Sequence, residues 1–588
     1  MANFAVWDYV VFILMLLISA SIGVYFRFTG GKQKTTAEYF LADRGVSIWP
    51  VSFSLMASFM SAITLLGVSM ENYQYGTLFV VINISYGLAT PIAAYLYLPV
   101  FFKLQATSAY EYLEKRFGKA TRLCASIAYS LQMILYMGIV LYAPALALEA
   151  VTNIDKTTAI LVVGFVCTFY STIGGMKAVL ITDVFQSLLM FAAIFSVIFC
   201  AVARAGGFAP IWQTAYDGGR LEFLNFDPDP TTRHTWFSLI IGGGFTYLTL
   251  YAVNQTQVQR LLTVKDLKAS QRAMWLNWPI LSCMSLTTSF SGLAIYYLYH
   301  SCDPYLQGRV SSRDQLMPLF VVDVMGAYPG LSGLFVSGLF SASLSTVSAA
   351  VNSLAAVTLE DYIKPLYKFI RKRPLPETKS TLPSKITAML FGIICIGVAF
   401  GAQLLGGVLQ ASLTVFGVVG GPLFALFTLG MFTTRAKQRG AITGLICGIG
   451  LALYLGFGQP KPTPPTKSFT LEDCTEFEDI RTNYTTLVQM SRSIPPDDDT
   501  EYVWLLKLSY LWYGVVGWIV TFVVGYAISV LLDLCNVGGP SKIYLDTKRQ
   551  YIDTELFSPP ISKLLKNQNA RFLERDNHAA TVNDVSSS

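Results

Sequence analysis

Residues 338–361, GLFSASLSTVSAAVNSLAAVTLED, form an apolar stretch of helical length in which hydroxyl and small side chains recur. Their spacing of i, i+3, i+4 and i+7 places them along one face of an α-helix. The face consists of Ser341, Ala342, Ser345, Thr346, Ser348, Ala349, Asn352 and Ser353. Small residues of this kind pack transmembrane helices together. The hydroxyl oxygens of Ser345 and Thr346 are also suitable ligands for a hard cation, so both interpretations stand at this point.

The 588-residue chain as a whole has the composition of a membrane protein. Hydrophobic residues make up 53% of it and charged residues 13%, whereas a soluble globular protein carries about 25% charged residues. Thirteen mostly apolar stretches are each long enough to cross about 30 Å of hydrocarbon. In chain order, spans 1 to 13 are 5–27, 47–70, 76–101, 121–151, 157–173, 178–205, 236–256, 272–300, 328–359, 384–406, 410–433, 438–458 and 506–534. We therefore expect an all-α membrane protein with one polytopic domain over residues 1–535.

The distribution of basic residues predicts how these spans are oriented. With the N-terminus outside, about 31 of the 42 Lys and Arg residues fall on the cytoplasmic side, as the positive-inside rule requires. Residues 459–505 then form an extracellular loop with the glycosylation acceptor Asn483-Tyr-Thr. The polar residues 536–588 form a cytoplasmic tail that we expect to be largely disordered. Cys302 and Cys474 both lie outside in this topology, where a disulfide between them is one option.

The sequence carries no recognisable catalytic or nucleotide-binding pattern. It has three histidines and no HExxH, Walker A, GxSxG or metal-spaced Cys/His motif. We therefore expect neither an enzyme nor an ATP-driven pump, with no cofactor and no nucleic-acid partner. A gradient-coupled carrier and a passive pore remain.

A second element is needed if the hydroxyl groups of span 9 are to hold a cation, because two oxygens do not replace a hydration shell. Span 2 is rich in Ser, Ala and Thr, and a helix break near residues 57–61 would free backbone carbonyls at mid-membrane. Span 7 has similar features, with glycines at 242–244 that are either a break or packing positions. Spans 2 and 7 are five spans apart, as the first helices of two inverted repeats would be. This spacing favours a carrier with core repeats at about 47–205 and 236–433.

Asp183 is an acidic residue just inside the cytoplasmic end of span 6. A carboxylate within the membrane is costly and indicates a functional role. It is either a station for sodium leaving toward the cytoplasm or an interfacial residue reached by water or paired with Lys177.

Four motifs in the chain resemble the sodium:solute symporter family. They are SAYEYLEKRF at 108–117, the stretch from Gly174-Gly175 to Thr182-Asp183, NQTQVQR at 254–260, and the pattern Gly430-Met431-x3-Arg435-x4-Gly440-Ala441-x2-Gly444-Leu445. The resemblance implies a LeuT-like fold of five-plus-five inverted repeats with about 13 transmembrane helices. It also implies alternating access in which spans 2, 3, 7 and 8 move against the remaining scaffold.

The same resemblance assigns roles to individual residues. It maps a sodium site onto the backbone carbonyls of Ala57, Met60 and Ala342 and the hydroxyls of Ser345 and Thr346. It maps a second ion and substrate pocket onto Phe59, Ser61, Thr64 and Tyr136, and it adds Tyr247 to this pocket. Tyr247 stands where a bacterial sugar carrier of the family has an asparagine, and Thr64 stands where the iodide carrier has a glutamine. These differences favour the monocarboxylate and multivitamin branch.

The resemblance thus implies a plasma-membrane symporter that couples sodium ions to the import of small organic anions. Monocarboxylates such as lactate, pyruvate, nicotinate and short-chain fatty acids are the preferred substrates. Biotin, pantothenate or iodide is the alternative substrate class. A sodium-conducting channel or a transporter-derived sensor is the alternative from a different class of function. The implied partners are sodium, the anion and the lipid bilayer; the sequence indicates no partner protein.

Overall fold

The fold was analysed in a computed structural model that describes residues 4–28, 40–105, 107–152, 154–174, 176–376, 379–402, 404, 407–471, 474, 502–535 and 553–569. Within these ranges the chain is helical and forms α1 Val6–Phe28, α2 Ile48–Ala57, α3 Ala62–Tyr75, α4 Ile82–Ile92, α5 Leu98–Leu104, α6 Glu111–Arg116, α7 Lys119–Val151, α8 Lys156–Gly174, α9 Met176–Ala205, α10 Phe208–Asp217, α11 Gly243–Tyr251, α12 Gln255–Leu261, α13 Leu267–Tyr299, α14 Leu316–Phe320, α15 Leu331–Val357, α16 Lys364–Arg371, α17 Thr381–Ala402, α18 Val408–Val415, α19 Gly421–Phe432, α20 Gln438–Phe457 and α21 Tyr513–Leu534. Short 3-10 and π segments join several of these helices into longer ones.

Each of the thirteen spans expected from the sequence corresponds to a helical segment. In the described ranges, nine helices are long and apolar enough to cross a membrane, one further pair is bent at a break, and three apolar helices are shorter. The shorter ones are Val6–Ser19, Lys156–Phe169 and Ser238–Tyr251. The expected all-helical membrane fold is confirmed, and the number of thirteen crossings stays a prediction.

Span 2 is broken where the sequence predicts it. The helices α2 and α3 meet at an angle of 58°, with residues 58–61 between them. Ser61 begins the second half, because its hydroxyl oxygen accepts a hydrogen bond from the amide of Ile63 at 3.2 Å. The fold therefore contains a discontinuous helix at the expected position.

Span 7 is also discontinuous, but not at its glycines. Its break lies at residues 252–254, between α11 and α12, and the side chain of Asn254 caps α12 by accepting from the amide of Thr256. Gly242 and Gly243 instead allow close packing: a Cβ on Gly242 would lie 2.5 Å from the carbonyl oxygen of Leu511. Gly242 and Gly243 are thus packing positions, whereas a Cβ on Gly244 would meet nothing within 4 Å, and the alternative of a break at these glycines was wrong.

The long helix α15, which contains the quoted stretch, runs through the centre of the molecule. Its residues from Phe335 to Val357 are buried, and it packs against α1, α7, α8 and α9. A helix that is buried on all sides needs small residues where neighbours approach closely. The small residues of this face therefore serve helix packing, and the role of Ser345 and Thr346 as cation ligands stays a prediction.

Two parts of the chain outside the spans are ordered by contacts with the helices. A disulfide joins Cys302, after α13, to Cys474 in the last outer loop. Residues 553–569 of the tail pack against the helical domain, so the expectation of disorder was wrong for that segment. Asn483 lies outside the described residues, and its glycosylation stays a prediction.

Candidate functional site

Thr346, on α15, faces the break in span 2. Its hydroxyl oxygen lies 3.3 Å from the carbonyl oxygen of Ala57 and 3.0 Å from that of Ala342, within hydrogen-bond distance of both. All three residues are buried. Three of the five oxygen donors named from the sequence therefore converge on one point between α2 and α15.

The break leaves the carbonyls of Ala57 and Met60 without their helical partners. In a continuous helix these carbonyls would accept from the amides of Ser61 and Thr64. The Ser61 amide instead donates to the carbonyl of Phe59 at 3.0 Å, and the Thr64 amide donates to that of Ser61 at 2.9 Å. Oxygens that are free of backbone pairing can coordinate a cation at a broken helix.

Ser345, the neighbouring hydroxyl residue, contacts Asp183 rather than the break itself. Its hydroxyl donates to Oδ1 of Asp183 at 2.7 Å, and the hydroxyl of Ser54 on α2 donates to Oδ2. The guanidinium of Arg260 lies 3.2 Å from Oδ2 and donates to Ser54 Oγ at 2.7 Å. Asp183 is thus fully buried and paired with Arg260, so the alternative of an interfacial residue that is reached by water or paired with Lys177 was wrong.

Arg260 was not assigned to the site from the sequence, although it ends one of the four family motifs. Its guanidinium is fully buried and links α12 to α2 and α9. An arginine at the edge of a predicted span, in a chain with a carboxylate inside another span, was the available signal. The sequence alone does not show that Arg260 and Asp183, which are 77 positions apart, are in contact.

All five residues expected in the second ion and substrate pocket line one central cavity. Phe59, Ser61 and Thr64 contribute from the broken span 2, Tyr136 from α7 and Tyr247 from α11. The remaining lining residues are Met60, Ile63, Val68, Phe79, Ile82, Tyr86, Thr246, Leu250, Tyr251, Leu281, Ser285, Leu409, Ser412, Leu413 and Phe416. The space between them amounts to about 710 Å³ with its opening included. The cavity therefore adjoins the break that carries the freed carbonyls.

The aromatic residues of the cavity form a continuous wall. Phe59 packs edge-on against Phe416 with ring centroids 5.6 Å apart, and Tyr136 packs against Phe416 at 4.6 Å. Tyr247 stacks on Tyr251 at 4.4 Å. Hydroxyls supply the polar groups, and none of the described lining residues carries a charge at neutral pH. Apolar walls with a few placed polar groups are typical of small-molecule sites.

A second, polar cavity lies next to the central one. It is lined by Glu71 and Gln410, and each of them belongs to a helix whose neighbouring turn lines the central cavity. Arg233 joins them: it donates to both carboxylate oxygens of Glu71 at 2.7 and 3.1 Å and to Gln410 at 2.8 Å. Burial raises the pKa of the nearby Asp314 to about 6. No pattern in the sequence indicated this second cavity.

A discontinuous helix that faces a buried hydroxyl-bearing helix, beside a central cavity in a helical membrane fold, defines a secondary transporter of the broken-helix class. The model of the sodium:solute symporter family matches residues 39–448. The chain belongs to the sodium:solute symporter family, and it is a multi-pass, sodium-coupled membrane transporter rather than an enzyme.

The chain is similar to known transporters over almost its full length. It is 55% identical over 566 residues to a Drosophila melanogaster protein named as a candidate sodium-dependent multivitamin transporter, covering 96% of this chain and 93% of that protein. It is 44% identical over 567 residues to human sodium-coupled monocarboxylate transporter 1, covering 94% and 91%. A solved structure of a Na⁺-coupled sialic acid symporter matches with a TM-score of 0.73 at 25% identity, covering 90% of this chain and 98% of that one. The LeuT-like fold expected from the sequence is therefore confirmed.

Proposed function

We propose that this protein imports small organic monocarboxylates together with sodium. The observation that carries the proposal is the central cavity, which is lined by hydroxyl and aromatic groups, contains no charged side chain among its described lining residues, and adjoins freed carbonyls at the break of span 2. An anion in such a cavity needs a cation beside it, because burying an unpaired carboxylate is costly. A co-bound sodium ion supplies that charge. The similarity to monocarboxylate transporter 1 supports the same substrate class.

The sodium ligands of this proposal are the carbonyls of Ala57, Met60 and Ala342 with the hydroxyls of Ser345 and Thr346. Thr346 already lies at hydrogen-bond distance from two of these carbonyls. Asp183 holds Ser345 by accepting its hydroxyl hydrogen, which leaves the oxygen lone pairs available to an ion. Asp183 also lies next along the path toward the cytoplasm and is the proposed exit station for sodium.

Transport proceeds by alternating access in this proposal, with spans 2, 3, 7 and 8 moving against the scaffold. The breaks at residues 58–61 and 252–254 are the natural hinges for this motion, since broken helices absorb changes in backbone angle. The plasma membrane, an extracellular N-terminus and a cytoplasmic C-terminus complete the proposal, supported by the distribution of basic residues.

Vitamin transport is the second candidate function. The observation that favours it is the 55% identity to the Drosophila protein named for multivitamin transport. Biotin and pantothenate are carboxylates, so the same sodium site would serve them. Iodide is less well supported, because Thr64 replaces the glutamine of the iodide carrier.

An uptake panel tests the proposal directly. Cells expressing the protein are given labelled nicotinate, butyrate, lactate, biotin, pantothenate or iodide, in sodium and in choline medium. We expect saturable, sodium-dependent accumulation of the monocarboxylates. Accumulation of biotin and pantothenate alone would favour the second candidate. Sodium currents without accumulation of any compound would replace symport with a channel function.

A further inference from the structure

Two of the family motifs meet at the cytoplasmic end of α19, where the function described so far does not use them. Arg116, from the first motif, is 1% exposed, and its guanidinium donates to the carbonyls of Gly430 at 3.0 Å, Thr433 at 2.6 Å and Ala436 at 3.2 Å. It therefore caps the end of α19 at Gly430 and holds the residues that follow the helix, Thr433 and Ala436. A Cβ on Gly430 would lie 2.7 Å from the hydroxyl oxygen of Tyr112, which explains the glycine that begins the motif at residues 430–445.

Residues 553–569, which we call the tail segment, dock onto this capped end. The amide of Ser558 donates to the carbonyl of Met431 at 3.0 Å, and the Tyr112 hydroxyl donates to the carbonyl of Leu556 at 3.1 Å. Phe557 is 1% exposed, and its ring centroid lies 5.3 Å from the Arg116 guanidinium. The docking is therefore specific in its backbone pairing and in its one buried aromatic ring.

The tail segment also bridges two parts of the transporter. Residues Thr554–Leu556 contact α5, at the cytoplasmic end of span 3, and α6, which precedes span 4. The next residues contact the end of α19 in span 11. Span 3 belongs to the set that we propose to move, and span 11 belongs to the scaffold. A docked tail segment thus connects a moving element to a fixed one.

Ser558 lies at the centre of the docked segment in an unusual environment. Its side chain is fully buried, and its hydroxyl has no hydrogen-bond partner in the part of the chain that the structure describes. It is followed by Pro559, and this is the one Ser-Pro dipeptide in the 588-residue sequence. Serine followed by proline is the substrate dipeptide of proline-directed protein kinases.

We propose that Ser558 is a phosphorylation site whose modification releases the tail segment from the transporter. The hydroxyl oxygen of Ser558 attacks the γ-phosphorus of ATP on the kinase, the bond from that phosphorus to the β–γ bridging oxygen breaks, and the hydroxyl proton and ADP leave. The kinase acts on the undocked segment, which exchanges with the docked one. The proposal rests on the cytoplasmic location predicted for the tail.

The physical reason for release is the charge of the phosphate. A phosphoserine carries about −1.5 to −2 charges at neutral pH and several strong acceptor oxygens. The nearby Arg116 donates through its Nε and both Nη groups to four backbone carbonyls, so pairing its guanidinium with the phosphate would first break these hydrogen bonds. Burying an unpaired charge is costly, so the modified segment stays undocked and the equilibrium shifts toward release.

Hydrogen exchange on the full-length transporter tests the proposal. The purified protein is incubated with a proline-directed kinase and ATP, phosphate on Ser558 is measured by mass spectrometry, and amide exchange is followed over residues 554–566. We expect incorporation at Ser558 and at least a tenfold faster exchange of the Ser558 and Ser562 amides, which are hydrogen-bonded when docked. Without incorporation at Ser558, or with incorporation and unchanged exchange, the proposal is overturned.

Three variants sharpen this experiment. Ser558→Ala removes only an unpartnered hydroxyl, so its tail segment should stay protected and the kinase treatment should have no effect. Ser558→Glu should exchange as fast as the phosphorylated protein. Lys563→Glu introduces negative charge on an exposed side chain of the same segment and should leave protection unchanged. Loss of protection in Lys563→Glu, to the same extent as in Ser558→Glu, would show that charge at the buried site is not the cause.

Discussion

The hydroxyl groups of Ser345 and Thr346 are the residues on which sodium coupling depends in our proposal. Replacing both with alanine removes two oxygen ligands and leaves the freed carbonyls of span 2 in place. Since a hydrogen bond or ligand contact of this kind is worth about 1 kcal/mol net, we expect the sodium concentration for half-maximal uptake to rise at least tenfold. Measuring uptake over a range of sodium concentrations gives this half-maximal concentration. Ser337→Ala is the matched control, because Ser337 is buried on the same helix and donates only to its own helix, at Gly333. Unchanged sodium affinity in the double variant would contradict the proposed site.

Asp183 and Arg260 form an ion pair in which both side chains are fully buried. Removing one partner leaves a buried charge without compensation, which costs about 3–5 kcal/mol, whereas removing both charges is often tolerated. We therefore expect Asp183→Asn and Arg260→Gln each to lower the unfolding temperature of the detergent-solubilised protein, and the double variant to recover most of the loss. Glu111→Gln serves as the control, because the Glu111–Lys115 pair is exposed and worth well under 1 kcal/mol. Equal losses in the single and double variants would show that charge pairing is not what the residues contribute.

At the scale of helices, glycines decide how closely α20 packs against α21. A Cβ on Gly444 would lie 2.4 Å from the carbonyl oxygen of Thr521, whereas a Cβ on Gly450 of the same helix would meet nothing within 4 Å. We expect Gly444→Ala to destabilise the protein by about 1–3 kcal/mol through overpacking. Gly450→Ala should be neutral or slightly stabilising, since alanine is the better helix former. Thermal unfolding of the two variants in detergent compares them, and equal unfolding temperatures would refute the packing role of Gly444.

The two broken helices show which features of an element can be predicted from sequence. The break of span 2 was predicted correctly, because Ser and Thr, which are poorer helix formers than Ala or Leu, cluster there. For span 7 the sequence left the glycines at 242–244 open as either a break or packing positions, and the break lies instead at 252–254, where Asn254 starts the next helix. Glycine serves both flexibility and close packing in membrane helices. The packing neighbour of Gly242 is Leu511, which is more than 260 residues away in the sequence. Local composition therefore could not separate the two roles.

For the whole molecule, hydropathy was sufficient to predict the helical segments, because the bilayer restricts the chain to helices of defined length. The LeuT-like fold followed from the family resemblance. The central cavity followed from the family resemblance, which identified five of its lining residues. The Arg260–Asp183 pair, the Arg233–Glu71 pair and the docked tail segment were not predicted. Each of them joins positions that are far apart in sequence and that no periodicity relates. Long-range polar pairing is thus the part of this molecule that required the structure.

The coupling of charges across the whole molecule gives a last prediction. With no charged residue among the described lining of the cavity, the net charge moved per cycle is that of the bound ions and the substrate alone. If two sodium ions accompany one monocarboxylate, one positive charge enters with each substrate molecule. A tenfold sodium gradient contributes about 1.4 kcal/mol per ion, and one charge at 100 mV contributes about 2.3 kcal/mol. This coupling would sustain accumulation of several thousandfold.

We therefore expect an inward current that is proportional to uptake, with one elementary charge per labelled substrate molecule. Simultaneous voltage clamp and isotope flux on the same cell measure this ratio. Thr346→Ala should reduce the current and the flux together, because the ion and the anion occupy adjoining sites and neither moves alone. A ratio of zero would mean one sodium per anion, so that voltage contributes nothing and accumulation is limited to about tenfold by a tenfold sodium gradient. A current that persists after the flux is lost would show that the ion pathway is independent of the cavity, contrary to the coupling proposed here.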